Sequence, residues 1–456
     1  MTALPNNPTT SYWLSHDSGL SKHRTTNELP SEADIVIIGS GYSGATAAYH
    51  ILQGTSDRPS VVILEARDTC SGATGRNGGH LKPAPYSSAL SNEKRFGTKI
   101  AQDLLRYEVD QLWHVKKLVE KESIDCDFEL TRAIDVYTDK QEAESILATF
   151  QALKGAGFEF PDDLHVVTDP QKAERVSGVK GALLVFTFTA GSVWPYKLIS
   201  HLLRRCIEWG ANLQTFTPVS SIENSSTGDG RWILHTARGA IVAKKILVAT
   251  NAYTSGLLPE LKTRIVPVKG IACRIAVPAD GKPPPHLNNT YSIRFKPQEY
   301  DYLIPRTDGS IVVGGAKQVL LLDDDNWLDN VDDSALIPGA EQYFDKYMQR
   351  TFNGWEESDA QVTDIWSGIM GYSADLKPWV GEIPNRPGVF ITAGFTGHGM
   401  PQILGCSAAV AALMRGDVAS IEATGLPQPF WITKERLHNE TNLIRGYMAG
   451  SRPTRQ

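Results

Sequence analysis

Residues 33–44 read Ala33-Asp34-Ile35-Val36-Ile37-Ile38-Gly39-Ser40-Gly41-Tyr42-Ser43-Gly44, and this stretch decides the fold. The run before Gly39 is rich in β-branched side chains, which predicts a buried parallel strand. Residues 45–53 are rich in small side chains and predict a helix that lies against the sheet. A second predicted strand, residues 60–64, ends just before Glu65. Strand, glycines, helix, strand and acid therefore follow one another in the order of a dinucleotide-binding βαβ unit.

The glycine-rich turn is suited to phosphate groups. Gly39 permits a tight turn, Gly41 lets the backbone approach a pyrophosphate, and Gly44 allows the helix to pack closely on the strand. The helix N-terminus adds free N–H groups and a positive dipole end. Glu65 is placed to accept hydrogen bonds from ribose hydroxyls, and its charge disfavours a ligand with a 2′-phosphate. The residues predicted to bind the dinucleotide here are Gly39, Ser40, Gly41, Tyr42, Ser43, Gly44 and Glu65.

The composition argues against several classes of protein. The 456 residues are enough for two domains with their own cores. A net charge of −6 without a large basic run argues against a nucleic-acid partner. The five cysteines have no CxxC spacing, which predicts neither disulfides nor a metal site. The N-terminal residues are polar and no run of about 18 apolar residues occurs, so we expect a cytoplasmic protein that does not engage a membrane.

The segment after Glu65 favours one dinucleotide over another. A nicotinamide-binding chain would usually return to another βα crossover here. Residues 66–80 instead form a glycine-rich run with Ser, Thr, Arg and Asn side chains, which predicts an irregular loop with many N–H and hydroxyl donors. Such a loop can follow an extended ligand from pyrophosphate to flavin ring, so FAD is favoured, with an NAD-dependent dehydrogenase as the alternative. The loop residues predicted to bind are Ala66, Arg67, Ser71, Gly72, Ala73, Thr74, Arg76, Asn77, Gly78, Gly79 and His80.

Three separated motifs resemble those of the D-amino-acid-oxidase-like FAD-dependent oxidoreductases. They are residues 37–44 with 64–67 and 72–79, the middle motif Ala249-Thr250-Asn251-Ala252, and the late motif at residues 388–400, which ends in Gly394-Phe395-Thr396-Gly397-His398-Gly399-Met400. The Gly-Arg-Asn-Gly-Gly form of the loop and the upstream Ser11-Tyr12-Trp13-Leu14 most resemble the γ-glutamylputrescine oxidase branch and its fungal relatives. The resemblance spans roughly residues 11–415.

The resemblance implies an interleaved two-domain fold. The expected architecture is α/β and α+β, with a Rossmann-type, glutathione-reductase-like FAD-binding domain interleaved with an antiparallel-sheet substrate domain. The expected bounds are 1–32 for an N-terminal extension, 33–92, 190–262 and 376–440 for the FAD-binding domain, and 93–189 and 263–375 for the substrate domain. The helical pattern at 97–122 carries no ligand-like cluster and is expected to be core.

The resemblance also implies the chemistry. Hydride passes from the carbon beside a neutral amine to flavin N5, the imine then hydrolyses, and O2 or another acceptor reoxidises the flavin. A helix predicted at 401–414 would point its positive end at the pyrimidine edge of the flavin. Val219 would contact adenine through its backbone. Further FAD contacts are expected at Ala249, Thr250, Asn251, Gly397, His398, Gly399 and Met400. The catalytic residue stays unknown, with His398, Tyr302 and Tyr372 as candidates.

Departures from the family leave the substrate and the acceptor open. The lysine that anchors a substrate carboxylate in sarcosine-oxidase-like relatives is replaced here by Pro401. Residues 366–372 lack the cysteine that attaches the flavin in those relatives, so FAD is expected to be non-covalent, with His80 or Cys70 as alternative tethers. Their oxygen-activating lysine is unmatched at 311–313, so an oxidase and a dehydrogenase both stay open.

Aromatic and cationic residues predict a pocket for a small-molecule amine. Rings can hold an amine through cation–π contacts. The predicted substrate-binding residues are Tyr291, Arg294, Trp366 and Tyr372. Arg76 or Arg294 could supply the cation that Pro401 does not. The rival interpretations are an NAD-dependent dehydrogenase and a flavin-binding module without turnover, and the oligomeric state stays open.

Overall fold

The computed structural model describes residues 7–54, 57–225, 228–296 and 299–449. Within these residues the strands form two sheets, one of eight strands and one of nine. In chain order the strands are β1 Glu32–Ile38, β2 Val61–Leu64, β3 His80–Leu81, β4 Glu129–Tyr137, β5 His165–Val167, β6 Leu184–Ser192, β7 Asn212–Gln214, β8 Val219–Asn224, β9 Trp232–Thr236, β10 Gly239–Val248, β11 Ile265–Ala276, β12 Thr290–Lys296, β13 Glu299–Pro305, β14 Ile311–Gly314, β15 Gln361–Ser373, β16 Trp379–Glu382 and β17 Val389–Ala393.

Helices cover one face of the first sheet and connect the strands of the second. Their bounds are α1 Tyr42–Leu52, α2 Ala89–Phe96, α3 Thr98–Glu122, α4 Lys140–Gly155, α5 Pro170–Ser177, α6 Pro195–Glu208, α7 Lys317–Leu320, α8 Ala340–Phe344, α9 Tyr347–Thr351, α10 Ile403–Arg415, α11 Lys434–His438 and α12 Ile444–Ala449. Helix α1 packs between α6 and α10, and its small side chains, Ala45, Ala47 and Ala48, are fully buried there. Small residues let the helix axes approach closely, which is why the helix that follows Gly44 is alanine-rich.

The first sheet has the parallel centre that the opening motif predicts. Its order is β16-β17-β10-β1-β2-β7, with β9 and β8 continuing from β10 in antiparallel pairing. Ile38 at the end of β1 lies opposite Leu64 of β2 and Val248 of β10. The ends of three parallel strands therefore meet at one edge, where open α/β sheets bind their ligands. The Rossmann-type fold class is confirmed.

The second sheet is almost wholly antiparallel. Its order is β15-β11-β14-β13-β12-β4-β6-β3, with β5 on the far side of β6. The pairing of β4 with β12 is parallel, while the other neighbours run antiparallel. The longest ladder joins β11 to β15 and brings Tyr372 of β15 opposite Val266. One face of this sheet packs on α8 and α9, so only the other face is available to a ligand.

The two sheets alternate along the chain as the interleaved fold requires. Strands of the first sheet all fall in 32–64, 212–248 and 379–393. The segment 33–92 also contains β3, which pairs with β6 in the second sheet. The exact domain bounds stay a prediction, and residues 1–6 of the expected N-terminal extension lie outside the described part of the chain.

Helix α10 begins later than the sequence predicts. It starts at Ile403, and Pro401 lies in the turn before it. The amides of Gln402 and Ile403 both donate to the Gly399 carbonyl, at 2.9 Å, which closes that turn before the regular helix begins. The predicted placement of Pro401 at the first helical position is therefore wrong.

The described residues contain neither a candidate membrane span nor a candidate metal site. No helix in them combines the length and the hydropathy needed to cross a membrane. No group of three or more His, Cys, Asp or Glu side chains in the same part of the chain could hold a metal ion.

Candidate active site

One large cavity, of about 1170 Å³, lies between the ends of β1 and β2 and the open face of the second sheet. This volume exceeds the usual range of about 300–1,000 Å³ for small-molecule sites. All three sequence motifs contribute to its wall. The predicted residues that line it are Gly39, Gly41, Tyr42, Ser43, Glu65, Ala66, Arg67, Gly72, Ala73, Thr74, Arg76, Asn77, Gly78, His80, Val219, Ala249, Thr250, Asn251, Arg294, Tyr302, Tyr372, Gly397, His398, Gly399 and Met400.

The glycine turn is shaped by backbone contacts that exclude side chains. A Cβ on Gly44 would lie 1.9 Å from the Gly39 carbonyl oxygen, and a Cβ on Gly39 would lie 2.7 Å from that of Ala249. Gly39 also has a φ of +108°, which favours glycine. By contrast, a Cβ on Gly41 would meet only the Thr74 side chain. Gly44 thus packs the helix on the turn without lining the cavity, whereas Gly41 presents bare backbone to it.

The N-terminus of α1 is open to the cavity. The N-cap residue Gly41 offers no side chain to the helix, and the amide of Tyr42 donates to Thr74 Oγ1 at 2.9 Å. The next amides, those of Ser43 and Gly44, have no carbonyl of the helix to donate to. Ser43 lines the cavity, so these amides and the positive end of the helix dipole form an anion site there.

Glu65 is held in place by its neighbours. Ser40 donates to Glu65 Oε2 from its amide at 3.0 Å and from its hydroxyl at 2.6 Å. The amide of Arg67 donates to Glu65 Oε1 at 3.0 Å. A carboxylate accepts about four hydrogen bonds, so Glu65 retains capacity for a ligand's hydroxyls. Ser40 therefore acts by orienting Glu65 and does not itself line the cavity.

The loop after β2 is tied to a distant carboxylate. Arg67 donates from Nη1 to both oxygens of Asp333 at 3.0 Å, and Arg76 Nε lies 3.6 Å from Asp333 Oδ2. Arg76 also donates to the carbonyls of Ser71 at 2.9 Å and Ser367 at 2.8 Å. The Arg76 guanidinium is thus engaged by the protein. Arg76 nevertheless lines the cavity, so its supply of a cation to the substrate stays a prediction.

The middle motif holds the late motif. Asn251 Oδ1 accepts from the Gly394 amide at 3.0 Å, and the Thr396 amide donates to the Gly371 carbonyl at 2.8 Å. Both contacts join the loop before α10 to elements that are far away in sequence. Residues 397–403 therefore line the cavity from a fixed position.

A buried carboxylate from α3 organises the same loop, and the sequence analysis missed it. Glu108 accepts from His398 Nε2 at 3.0 Å, from Gln402 Nε2 at 2.7 Å and from the Ala84 amide at 3.0 Å. Burial alone would raise its pKa, but the His398 charge and these hydrogen bonds hold the pKa of Glu108 at about 2. The expectation that helix 97–122 is only core is wrong.

One signal in the sequence could have revealed Glu108. It lies four residues from both Leu104 and Leu112, which are buried on the inner face of α3. An acid within an apolar stripe at helical spacing needs a buried partner. His398, already singled out as a flavin-site candidate, is that partner.

Two aromatic side chains lie directly against the cofactor motifs. A Cβ on Gly78 would lie 2.4 Å from the Tyr302 ring, and a Cβ on Gly314 would lie 2.1 Å from its hydroxyl. A Cβ on Gly397 would lie 3.1 Å from the Tyr372 hydroxyl. Burial raises the pKa of both phenols, so both rings are neutral. They form an aromatic wall beside the late motif.

Two residues predicted to bind substrate do not line the cavity. Tyr291 packs edge-on against Phe352, with ring centroids 5.2 Å apart, in the core behind the sheet. Trp366 is fully buried and donates from Nε1 to the Arg76 carbonyl at 2.8 Å, so it supports the loop. The substrate-binding role predicted for both is corrected. Ser71 and Gly79, which were predicted to bind FAD, do not line the cavity either. Ser71 is buried, and a Cβ on Gly79 would meet the Val193 carbonyl and the Trp13 ring.

Three cationic side chains line the part of the cavity that faces the second sheet: Lys82, Arg294 and Lys317. Lys82 Nζ lies 2.8 Å from Asp135 Oδ1. Only Arg294 was predicted, because Lys82 and Lys317 belong to no motif and reach the cavity through long-range packing.

Residues 34–413 match the protein family described as FAD dependent oxidoreductase. The chain belongs to this family. It is 25% identical over 394 residues to a probable oxidoreductase OrdL of Rhizobium meliloti, covering 86% of this chain and 85% of that protein. It is 23% identical over 421 residues to the gamma-glutamylputrescine oxidoreductase of Escherichia coli, covering 91% of both. Its fold is similar to that of glycine oxidase from Geobacillus kaustophilus, with a TM-score of 0.69 at 20% identity, covering 89% of this chain and 99% of that structure.

The wall of the cavity fits the cofactor of the family. The bare backbone at Gly41 and the open N-terminus of α1 suit a pyrophosphate, and Glu65 suits a ribose. The cavity continues past the loop to Gly397 and Gly399, where backbone amides suit the flavin. FAD, not NAD, is therefore the cofactor of this oxidoreductase. Which individual residues contact it stays a prediction.

Glu65→Gln is expected to weaken FAD binding about tenfold, because one charge-assisted acceptor for a ribose hydroxyl is lost. The dissociation constant is measured by titrating apoprotein with FAD and following flavin fluorescence. Glu32→Gln, an exposed change of the same kind on β1, serves as the control. An unchanged FAD affinity in Glu65→Gln would show that Glu65 does not bind the cofactor.

The protein surroundings affect the two alternative tethers, Cys70 and His80, in different ways. Burial raises the pKa of the Cys70 thiol, so its reactive thiolate is disfavoured. His80 Nε2 lies 2.8 Å from Thr290 Oγ1, and burial lowers the pKa of His80 well below its usual value. Both side chains line the cavity as neutral groups.

Because residues 366–372 hold no cysteine and the Cys70 thiolate is disfavoured, acid precipitation of the holoenzyme is expected to release all of its flavin into the supernatant. The absorbance of the supernatant near about 450 nm measures the release. Flavin that stays on the pellet of the wild type but not of Cys70→Ala or His80→Ala would identify the tether and contradict this expectation.

Proposed function

We propose that this FAD-dependent oxidoreductase oxidises the C–N bond of a small-molecule amine. One observation carries the proposal: a single cavity joins the three cofactor motifs to the neutral rings of Tyr302 and Tyr372. Such rings offer an apolar wall to an uncharged amine and its carbon chain. Two relatives carry names that describe substrates with a C–N bond, gamma-glutamylputrescine oxidoreductase and glycine oxidase.

FAD, when bound, supplies the acceptor for the hydride. The protein's own residues bind the substrate beside the flavin and orient it. Tyr302 lies between the loop at Gly78 and strand β14, and Tyr372 lies against Gly397. These rings exclude water from the end of the cavity where the late motif lies. The positive end of α10 offsets negative charge that develops there.

The charges on the wall favour an uncharged amine. A nitrogen whose lone pair is protonated cannot assist loss of hydride from the neighbouring carbon. Arg294 and Lys317 line the cavity without an ion-pair partner among the described residues, and they raise the cost of binding an ammonium ion beside them. His80 stays neutral because of its burial. The amine is therefore bound in its neutral form, and its proton is left to solvent on entry.

Anaerobic reduction of the bound flavin tests the proposal. The holoenzyme is mixed with a panel of primary and secondary amines and amino acids, and the flavin band near about 450 nm is followed. Bleaching by at least one member supports the proposal, while a band that no member bleaches would favour a flavin-binding module. Readmitting O2, or a dye in its place, then separates an oxidase from a dehydrogenase.

Amines without an adjacent carboxylate are expected to be better substrates than the matched α-amino acids. Pro401 lines the cavity with neither charge nor N–H, so an α-carboxylate lacks a charge-assisted partner there, a loss of about 10- to 100-fold in affinity. The test compares kcat/KM for an amino acid and its decarboxylated amine. If the amino acid is better by tenfold or more, another residue binds the α-carboxylate, and the same pair measured in Arg294→Ala shows whether it is Arg294.

A further inference from the structure

Lys317 is a buried cation without a partner. It opens the short helix α7 and lines the cavity with 6% of its surface exposed. Its Nζ donates to no hydrogen-bond acceptor within the described residues, and none of their carboxylates forms an ion pair with it. The ammonium lies over the rings of Tyr300 at 4.8 Å and Tyr447 at 5.4 Å. Cation–π contacts offset only part of the cost of burying a charge.

Arg294 also contacts the ring of Tyr300. Its guanidinium is 5.0 Å from the Tyr300 ring and 5.6 Å from the Tyr137 ring, and its buried Nε has no partner within the described residues. The nearby carboxylate Asp135 is engaged by Lys82 and by the Tyr86 hydroxyl.

Glu142 also faces this region, but no ion pair joins it to Arg294. Arg294 and Lys317 therefore share one aromatic ring and face the cavity with donors that the described protein leaves unused.

The two cations repel each other in this environment. Burial and, to a smaller extent, the charge of Arg294 together lower the pKa of Lys317 to about 8. An anion placed between them would relieve both the desolvation and the repulsion, and an anion with two oxygens matches an ammonium and a guanidinium together. The arrangement is costly without such an anion and favourable with one.

Two aromatic rings connect this cationic pair to the late motif. The Tyr372 ring, which lies against Gly397, is 6.2 Å from the Tyr447 ring, and Tyr447 in turn lies under Lys317. The rings of Tyr447 and Tyr372 thus form a chain of contacts that leads from Lys317 to Gly397. An anion bound by the pair lies at one end of this chain, and the late motif lies at the other.

We propose that Arg294 and Lys317 form a subsite for a carboxylate that the amine substrate carries at the end remote from the oxidised carbon. This inference rests on the proposed function, since it names the class of amine: one with a distal carboxylate. Anionic groups of FAD are the other source of the same chemistry, and the experiment separates the two.

Binding of unreactive carboxylates to the holoenzyme is the first measurement. The straight-chain carboxylates from butanoate to octanoate are titrated while the flavin spectrum is followed, with the corresponding amides as neutral probes. We expect at least one carboxylate to bind and its amide to bind more weakly. Lys317→Met and Arg294→Met are each expected to weaken the carboxylate about 10- to 100-fold and to leave the amide unchanged. Lys296→Met, an exposed change on the same strand, should have no effect.

The other outcomes overturn the inference. Carboxylates that do not bind, or that bind equally to both variants, would show that the cations do not form this subsite. A loss of FAD affinity in Lys317→Met would instead assign the cations to the cofactor. Folding does not confound the test, because removing an unpaired buried charge is expected to leave the unfolding temperature unchanged or higher.

Turnover is the second measurement and separates this inference from the proposed function. The ratio of kcat/KM for 6-aminohexanoate to that for hexylamine is expected to exceed unity in the wild type and to fall about tenfold or more in Lys317→Met. If hexylamine is the better substrate in both the wild type and Lys317→Met, the proposed subsite is contradicted, while the proposed amine oxidation is still supported. If no amine bleaches the flavin but carboxylates bind as expected, the subsite stands and the proposed reaction fails.

Discussion

Gly44→Ala is expected to yield a protein that retains almost no FAD. The added Cβ would lie 1.9 Å from the Gly39 carbonyl oxygen, and backbone cannot move aside as a flexible side chain would. Helix α1 must therefore shift away from the turn, which displaces the amides that suit the pyrophosphate. Loss of two charge-assisted hydrogen bonds weakens binding about 100-fold or more. Overpacking at this contact lowers the free energy of unfolding by about 1–3 kcal/mol.

The measurements are FAD content after purification, the dissociation constant of the apoprotein for FAD, and a urea titration. Gly155→Ala is the matched control, because a Cβ there meets no neighbouring atom within 4 Å and Gly155, at the end of helix α4, does not line the cavity. We expect the control to be neutral or slightly stabilising. Normal FAD content in Gly44→Ala would show that the turn does not need this close approach.

Asp333→Asn is expected to destabilise the protein by about 3–5 kcal/mol, because it leaves two poorly exposed guanidinium groups without their counter-ion. The carboxylate is 1% exposed and faces Arg67 and Arg76, which belong to the loop after β2. Since that loop lines the cavity, FAD retention should fall together with stability. Urea titrations of the holoenzyme and the apoprotein measure the two effects separately.

Asp280→Asn, an exposed change of the same charge, is the control for Asp333→Asn. Combining Asp333→Asn with Arg67→Gln should recover part of the loss, because one uncompensated cation is then removed. A destabilisation of Asp333→Asn no larger than that of Asp280→Asn would show that the ion pairs contribute little to this fold.

The cofactor turn could be predicted from the sequence because its determinants are local. The backbone demands at Gly39 and Gly44 follow from contacts within one strand–turn–helix unit and its neighbouring strand. Glu65 follows from the length of that same unit. The late motif was predicted in the same way, from glycines beside a helix N-terminus, and only the start of α10 was misplaced.

The substrate-binding residues could be predicted only in part. The sequence pattern of a strand does not show which face of the sheet is covered by helices. Ser292 lies opposite Tyr302 and Tyr291 lies opposite Leu303, so Tyr291 faces away from Tyr302. Side chains alternate along a strand, and Tyr291 and Arg294 are three residues apart, so both could not face one cavity. That signal was present in the sequence. The packing of α8 and α9 on one side of the sheet decides whether Tyr291 or Arg294 points toward the ligand.

The sequence by itself thus determined the fold class, the family and the place of the cofactor, since each rests on spacings within short segments. The tertiary structure alone decided which polar side chains pair with one another in the site through hydrogen bonds and ion pairs. Glu108 and His398 are 290 residues apart, and Arg67 and Asp333 are 266 apart. Lys317 faces Arg294 only through the pairing of β12, β13 and β14 in one sheet. Such partners are selected by the packing of distant elements, and neither composition nor periodicity carries that information.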